Sequence, residues 1–257
     1  MKLNCDLGEK VHDNDALIMP FINMANIACG FHASDPLTMN NTVKLALTNK
    51  VTIGAHPSYN DKDNFGRISV NYSAAELIAI IQYQIGAMQA ICDSNKATLS
   101  YVKPHGALYN DMMKNAEIFE QVCQAISALK HPLPLLIQAL PETDNTFIQL
   151  KAIAGKYQIS LLFEAFADRE YTDQGLLVSR QESNAVIHDI DKIISRCEQL
   201  IRHNKFISVN GKPLNLKVDT LCVHGDNPEA IAVVKQLHQL LNAECSNNTN
   251  NISPSSC

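Results

Sequence analysis

Residues 26–36 read Asn26-Ile27-Ala28-Cys29-Gly30-Phe31-His32-Ala33-Ser34-Asp35-Pro36, and this stretch decides the fold. A short apolar run stops at a glycine, and a histidine and an aspartate follow it. Asp35 is typical of a helix N-cap, because its carboxylate accepts hydrogen bonds from first-turn amides, and Pro36 suits the first helical position. We therefore predict a strand, a sharp turn and a helix, with His32 at the carboxyl end of the strand, where ligands bind in α/β folds.

The same pattern of an apolar run followed by polar side chains recurs along the chain. The predicted strands cover residues 2–5, 27–29, 51–55, 99–102, 135–137, 159–163 and 218–223. Helical periodicity separates them, and no linker divides the series, which indicates one parallel α/β domain over residues 1–244. Nearly every strand ends in polar side chains. Because a barrel gathers all strand ends at one mouth, we predict a seven-stranded (β/α) TIM-like barrel, with a doubly wound sheet as the alternative.

Several local signals refine this outline. Ser73 and Glu76 have the spacing of a capping box ahead of a long amphipathic helix. Thr143 is the predicted cap of a later helix, and Asn210-Gly211 is a strong hairpin signal. From residue 245 to residue 257 Ser, Asn, Thr and Pro dominate, so we predict a disordered polar tail there.

Composition limits the class of protein. The 257 residues carry a net charge of −5, which gives no reason to expect a nucleic acid or an anionic membrane as partner. No apolar run suggests a membrane span, and the polar start does not resemble a signal peptide. Eight cysteines without a C-x-x-C pair indicate reduced thiols, and we expect a cytoplasmic protein.

The candidate functional residues are the ionisable side chains at the strand ends and in the long loops. Histidines and carboxylates supply bases, Lys103 a compact cation, and Arg169 a fork for an anion. The candidate catalytic residues are Asp6, His32, His56, Lys103, His105 and Glu164. The candidate substrate-binding residues are Asn4, Glu9, Arg67, Tyr109, Asp168, Arg169, Arg180, His224 and Asp226.

Each of these residues also has a structural interpretation. Asp35 and Asp226 suit helix caps, and Glu164 or Asp168 suits an ion pair with Lys103 or Arg169. The histidines and carboxylates would also suit a divalent metal, although no H-x-x-x-H or H-E-x-x-H spacing supports one, so ligands would come from separate strands. No P-loop and no G-x-G-x-x-G motif is present, and we predict no tightly bound cofactor.

Six blocks in order resemble the LamB/YcsF family. They are Asn4-Cys5-Asp6-Leu7-Gly8-Glu9, the stretch 26–36, Gly54-Ala55-His56-Pro57-Ser58-Tyr59, Val102-Lys103-Pro104-His105-Gly106-Ala107-Leu108-Tyr109, Glu164-Ala165-Phe166-Ala167-Asp168-Arg169 and Cys222-Val223-His224-Gly225-Asp226. The resemblance implies a barrel of the glycoside hydrolase/deacetylase superfamily. Loop positions Ser34, Asn60, Ile68, Ser179 and Asn184 depart from the family pattern, which bears on how the substrate is covered.

The resemblance also implies an activity, which is ATP-dependent opening of 5-oxo-L-proline (pyroglutamate) to L-glutamate. Two partner subunits, B and C, would take part, and ATP with Mg²⁺ would be handled together with them. We expect a base among Asp6, His32, His56 and His105, oriented by Glu164 or Asp168. The alternatives are a stand-alone metal-dependent deacetylase or amidohydrolase, and a protein that binds a small carboxylate without turnover.

Overall fold

The computed structural model describes residues 1–11, 14–224 and 229–249, and its centre is a closed barrel of parallel strands. The barrel strands are β1 (Lys2–Leu7), β2 (Met24–Ala28), β3 (Thr52–His56), β4 (Leu99–Val102), β5 (Leu135–Gln138), β6 (Leu161–Phe166) and β9 (Thr220–Val223). They pair in the order β1-β2-β3-β4-β5-β6-β9, and β9 pairs back to β1. The predicted seven-stranded barrel is thus confirmed, and the open-sheet alternative is excluded.

Helices surround the barrel, and a small hairpin lies outside it. The helices are α1 (Asp15–Ile18), α2 (Pro36–Thr48), α3 (Ala74–Ser94), α4 (Gly106–Lys114), α5 (Ala116–Ser127), α6 (Asn145–Lys156), α7 (Ile190–His203) and α8 (Ala230–Thr249). A 3-10 turn at Met19–Phe21 follows α1. Strands β7 (Lys205–Ile207) and β8 (Pro213–Asn215) pair antiparallel across Asn210-Gly211, as the turn signal predicted.

The helix starts follow the local sequence closely. Asp35 caps α2 by accepting the amide hydrogen of Thr38 at 2.9 Å. Ser73 and Glu76 form the predicted capping box at the start of α3. The predicted cap Thr143 is wrong. Asp144 caps α6, because that helix begins at Asn145 and the carboxylate of Asp144 accepts two of its first-turn amides.

Two predicted boundaries differ from the structure. The sequence predicts the sixth strand over residues 159–163, but β6 runs from Leu161 to Phe166, so Glu164 lies inside the barrel strand. Helix α8 continues through Thr249, so residues 245–249, which the sequence predicts as the start of a disordered tail, are helical. Residues 250–257, and the predicted helix cap at Asp226 or Asn227, lie outside the described residues.

The two faces of the barrel sheet have opposite polarity. Along β1, Leu3, Cys5 and Leu7 belong to the apolar core between sheet and helices, whereas Asn4 and Asp6 alternate with them and point inward. The interior is closed by a small apolar cluster of Met24, Tyr101 and Leu136. The polar side chains therefore form a layer that is open only toward the carboxyl ends of the strands.

Helix α3 is the one helix of the described part that is long and apolar enough to cross a membrane by length and composition. The sequence analysis predicts no such span. One face of α3 is buried, and its residues Leu77, Ile81, Ile85 and Met88 join the apolar core around the barrel. About a third of this apolar stretch, 33%, is therefore buried by packing on the barrel.

Candidate active site

The floor of the barrel mouth holds a buried lysine between two carboxylates. Nζ of Lys103 lies 2.9 Å from Oδ1 of Asp6 and 3.2 Å from Oε2 of Glu164. The three side chains are buried and come from the end of β4, from β1 and from β6. One ammonium is shared by two carboxylates, so the fully ionised group holds more negative than positive charge.

The pKa values of this floor favour the ionised forms. Burial by itself would raise the pKa of Asp6, but Lys103 and His56 outweigh it and hold that pKa well below its ordinary value. Burial would likewise lower the pKa of Lys103, but Asp6, Cys222 and Glu164 raise it well above its ordinary value. At neutral pH the floor therefore presents an ammonium beside a carboxylate.

A network of amides and one phenol holds this floor in place. Asn26 donates from Nδ2 to Oδ1 of Asn4 at 2.8 Å and to Oδ1 of Asp6 at 2.7 Å. The hydroxyl of Tyr101 donates to Oδ1 of Asn26 at 2.6 Å. Asn4 in turn donates to Oε2 of Glu164 at 3.3 Å. The strands β1, β2, β4 and β6 are thus joined across the barrel interior by side chains.

Glu9 and three histidines form a second group at the ends of β1, β2, β3 and β4. Oε1 of Glu9 lies 3.0 Å from Nε2 of His32, 3.5 Å from Nδ1 of His105 and 4.0 Å from Nε2 of His56. Nδ1 of His105 and Nε2 of His56 are 3.0 Å apart. Burial, together with the neighbouring imidazoles, lowers the pKa values of His32 and His105 well below their ordinary range.

The long loop at residues 60–71 packs over these histidines. The carbonyl of Phe65 lies 2.9 Å from Nε2 of His105. Gly66 has a φ of +64°, and a Cβ added there would lie 2.8 Å from Cβ of His32. The carbonyl of Gly66 accepts the amide hydrogen of Ala107 at 2.8 Å. The loop is therefore fixed between the histidines and the start of α4 by contacts that leave no room for a side chain at residue 66.

Asp168 and His224 form a carboxylate–imidazole pair at the ends of β6 and β9. Nδ1 of His224 lies 2.9 Å and 3.2 Å from the two carboxylate oxygens of Asp168. Burial would raise the pKa of Asp168, but His224 outweighs it and lowers that pKa. The ring of His224 stacks on Phe166 at 5.3 Å between centroids. Asp168 and Phe166 together fix the orientation of this imidazole.

One cavity of about 340 Å³ opens between these groups. Ten of the sequence-predicted residues line it, namely Asp6, Glu9, His56, Arg67, Lys103, His105, Tyr109, Arg169, Arg180 and His224. Asn4, His32, Glu164 and Asp168 lie behind this lining and contact it through the bonds described above. Asp226 lies outside the described residues. Asp35 caps α2 and pairs with the exposed Lys10, so it has the structural role of a helix cap that the sequence predicts.

The cationic and phenolic groups of the cavity differ in how they are engaged. Arg169 donates from Nε to the carbonyl of Ala185 and from Nη2 to that of Val178, so it holds the loop near residues 178–185. Burial and the neighbouring Arg180 lower the pKa of Arg169 to about 10. Burial and the Glu164 carboxylate raise the pKa of Tyr109 well above its ordinary value, so its hydroxyl stays protonated.

Sequence reasoning missed several residues that build the site. Asn26 and Tyr101 are not among the candidates, although a polar side chain inside an apolar strand is a signal for Asn26. Phe65 and Phe166, which line the cavity, carry no signal that separates them from core aromatics. Gln138 also lines it and ends β5, and its Nε2 donates to the carbonyl of Gly175.

Among the described residues, two groups have ligand atoms close enough to hold a metal ion. Glu9, His32, His56 and His105 form the first, and Asp6, Cys222 and His224 form the second. Within each group all the ligand atoms lie within 4.8 Å of one another. The ligands come from separate strand ends, which explains why no short spacing motif marks them.

A closed parallel barrel with acid–base side chains gathered at the carboxyl ends of its strands defines an enzyme of the TIM-barrel type. Within that class the chain belongs to the LamB/YcsF family, whose model matches residues 1–254.

Proteins similar to this chain match it over nearly its whole length. A relative from Vibrio vulnificus, named as the A subunit of 5-oxoprolinase, is 46% identical over 93% of this chain and 96% of its own length. One from Pseudomonas fluorescens with the same name is 48% identical, over 94% and 97%. The lactam utilization protein from Thermus thermophilus, for which a crystal structure exists, is 32% identical in sequence to this chain. The two structures superpose with a TM-score of 0.85 over 95% of this chain and 97% of that one.

Proposed function

We propose that this chain opens the ring of 5-oxo-L-proline to give L-glutamate, as the A subunit of an ATP-dependent 5-oxoprolinase that also needs subunits B and C. The observation that carries the proposal is the convergence of acid–base side chains on one small cavity, in a chain whose relatives are named as the A subunit of 5-oxoprolinase. The name of the Thermus thermophilus protein supports the same class of substrate, a cyclic amide.

The reaction adds water across the lactam bond. The water oxygen bonds to the carbonyl carbon, the C–N bond breaks, and the ring nitrogen takes a proton to become the amine of glutamate. A lactam carbonyl is a weak electrophile, because the nitrogen lone pair is delocalised into it. In the proposal, transfer of the terminal phosphoryl group of ATP to the carbonyl oxygen activates that carbonyl and releases ADP, and a second water releases the phosphate.

The residues that line the cavity suit these steps. His224, oriented by Asp168, is positioned to accept and return a proton through Nε2. The ammonium of Lys103 and the protonated hydroxyl of Tyr109 are suited to stabilise negative charge on a substrate oxygen. Arg67 and Arg180 line the same cavity and are the proposed partners of the substrate carboxylate.

The need for partners follows from the charges near the cavity. A triphosphate is usually held by Mg²⁺ and several basic groups. Here Lys103 is paired with two carboxylates, and Arg169 donates to loop carbonyls. We therefore assign ATP binding chiefly to subunits B and C. Because the reaction consumes ATP, we also assign the enzyme to the cytoplasm.

The test measures glutamate and ADP release by the purified chain, alone and then mixed with subunits B and C, with Mg²⁺, ATP and 5-oxoproline. We expect no turnover by the chain alone and coupled release of both products by the mixture. In the mixture, His105→Ala and Asp6→Asn should remove turnover while the fold is kept. The matched control is Glu120→Gln, which removes an exposed pair with Lys156 away from the cavity.

Three results would contradict parts of the proposal. Robust turnover by the chain alone would refute the division of labour between subunits. No glutamate from the complete mixture would refute the assigned substrate. Near-normal turnover in both site variants would remove the cavity from the mechanism.

The group of Glu9 and three histidines favours a second candidate, a stand-alone metal-dependent amidohydrolase or deacetylase. The two functions differ in their dependence on ATP. Hydrolysis of an amide or acetyl substrate by the chain alone, without ATP and abolished by a chelator, would favour the second candidate.

A further inference from the structure

The facing nitrogens of His56 and His105 are both acceptors. Nδ1 of His56 lies 2.6 Å from the carbonyl oxygen of Lys103, and Nε2 of His105 lies 2.9 Å from that of Phe65. A carbonyl oxygen only accepts hydrogen bonds, so these two ring nitrogens carry the hydrogens. In the neutral rings, Nε2 of His56 and Nδ1 of His105 therefore present lone pairs to each other at 3.0 Å.

Carboxylate oxygens surround the same point. Oε1 of Glu9 lies 3.5 Å from Nδ1 of His105 and 4.0 Å from Nε2 of His56, and Oδ2 of Asp6 lies 3.5 Å from the latter. Lone pairs and negative oxygens repel one another unless a cation lies between them. The arrangement is stable with either a shared proton or a bound metal ion at this point.

His32 differs from His56 and His105, because its ring cannot share a metal ion with His105. Its ring is parallel to that of His105, with an interplanar angle of 5° and centroids 3.7 Å apart. A metal ion lies in the plane of the imidazole that binds it, so one ion cannot lie in both planes. The rings of His56 and His105 are at 84°, which does allow a shared ion. His32 is instead placed to donate from Nε2 to Oε1 of Glu9 at 3.0 Å, and it does not line the cavity.

The separations fit a tetrahedral transition-metal site. With metal–ligand distances near 2.0–2.1 Å, the ligands of tetrahedral zinc lie roughly 3.3 Å apart. The three separations among Glu9, His56 and His105 are 3.0, 3.5 and 4.0 Å. Two imidazoles and one carboxylate favour Zn²⁺ or a similar ion over Mg²⁺ or Ca²⁺. All three ligands line the cavity, so a fourth position would face the substrate.

We infer that Oε1 of Glu9, Nε2 of His56 and Nδ1 of His105 bind one divalent transition-metal ion of the zinc class. His32 is a positioning residue that orients Glu9, as outer hydrogen-bond partners orient metal ligands elsewhere. A bound ion there would supply a Lewis acid beside the substrate carbonyl. The inference deepens the proposed lactam opening, because it adds an ion to the same cavity, and in that sense it rests on the proposed function.

The experiment needs no substrate, so its failure is distinguishable from failure of the proposed function. The full chain is purified, stripped with a chelator and titrated with Zn²⁺ by calorimetry, and bound metal is counted by elemental analysis. Co²⁺ serves as a second probe, because its visible absorption separates four-coordinate from six-coordinate sites. We expect about one ion per chain and a four-coordinate Co²⁺ spectrum.

Variants separate the three roles. His56→Ala, His105→Ala and Glu9→Gln should each lose stoichiometric binding, whereas His32→Phe should weaken it by about 10- to 100-fold. The matched control is His224→Ala, which disrupts the other candidate group and should leave Zn²⁺ affinity unchanged. Circular dichroism checks that each variant is folded. If a histidine variant unfolds, Glu9→Gln still tests the ligand set.

Three outcomes would overturn the inference. Absence of Zn²⁺ and Co²⁺ binding by the wild-type chain would leave a shared proton as the cation. Binding that survives Glu9→Gln and His105→Ala but is lost in His224→Ala would move the site to the other group. A His32→Phe variant that loses all binding would make His32 a ligand.

Discussion

Nδ1 of His224 lies 2.9 Å from Oδ1 of Asp168, and this contact links the ends of β6 and β9 beside the cavity. The carboxylate fixes the hydrogen on Nδ1, which leaves Nε2 as the nitrogen available for proton transfer. From the sequence alone both residues are predicted substrate contacts, and Asp168 is also one of two carboxylates expected to orient a base, but that base is not His224. In the structure, the carboxylate of Asp168 determines which ring nitrogen of His224 carries the hydrogen.

Replacing Asp168 by asparagine should therefore impair proton transfer more than substrate binding. In the complete mixture with both partners we expect kcat to fall by about 10²-fold or more for Asp168→Asn, with a smaller change in KM. The pH dependence of kcat is the decisive readout, because a purely structural role for Asp168 would leave its shape unchanged. An unchanged profile together with near-normal kcat would contradict this role.

The same pair should also affect stability at acid pH. The pKa of folded Asp168 is below its unfolded value of about 3.9, so its stabilisation is present above that value and is lost as pH falls through the folded pKa. The side chain of Asp168→Asn is neutral at every pH, so the variant has no such stabilisation to lose on acidification. Urea unfolding between pH 6 and pH 2 should show a shallower decline for the variant, and parallel declines would count against the pair.

Removing the charge of Lys103 should destabilise the barrel floor. Lys103→Met leaves the carboxylates of Asp6 and Glu164 buried without the ammonium that they share, a change that typically costs about 3–5 kcal/mol. Adding Glu164→Gln removes one of the two charges and should restore part of the stability. Urea unfolding of both variants tests this, and a single variant as stable as the wild type would contradict it.

A side chain at Gly66 should displace the histidines, and it should also lower stability because the residue has a positive φ and close neighbours. In Gly66→Ala the new Cβ would meet His32 at 2.8 Å and His105 at 3.1 Å. We expect turnover to fall about tenfold or more, because active-site geometry tolerates displacements of less than about 1 Å. Gly211→Ala is the matched control, since Gly211 also has a positive φ but no atom within 4 Å of an added Cβ. Equal effects of the two variants on turnover would contradict the steric argument.

Gly54 and Gly86 should respond in opposite directions to alanine. A Cβ at Gly54 would lie 2.3 Å from the ring of Tyr101, which is held by its bond to Asn26, so we expect destabilisation by about 1–3 kcal/mol or more. Gly86 lies inside α3 with open space around it, and alanine there should stabilise by up to about 1 kcal/mol. Thermal unfolding of both variants distinguishes the two cases, and a shift of the same sign would refute the explanation.

The sequence predicts the barrel well because its strands are short apolar runs that end in polar residues. His56 and Lys103 could be assigned to the mouth from this pattern alone. The sequence does not predict which of these side chains contact one another. The contact of Glu9 with three histidines, for example, depends on how the strand ends meet in space. The role of Tyr101 is hidden for a related reason, because the bond that reveals it connects different strands, whereas Asn26 carries a signal as a polar residue within an apolar strand. The predicted sixth strand ends at residue 163, before the true end of β6, because Glu164 is a charged residue inside a strand.

The position of β1 between β2 and β9 has a consequence for how the protein is made. Asn4 on the first strand bonds to Glu164 and to Thr220, which are 160 and 216 residues further along the chain. During synthesis β1 emerges before the other barrel strands. Its edge toward β9 stays unpaired until β9 leaves the ribosome. Barrel closure and completion of the floor are then one late event, so a nascent chain that stalls before Thr220 carries neither a sealed sheet nor a complete floor.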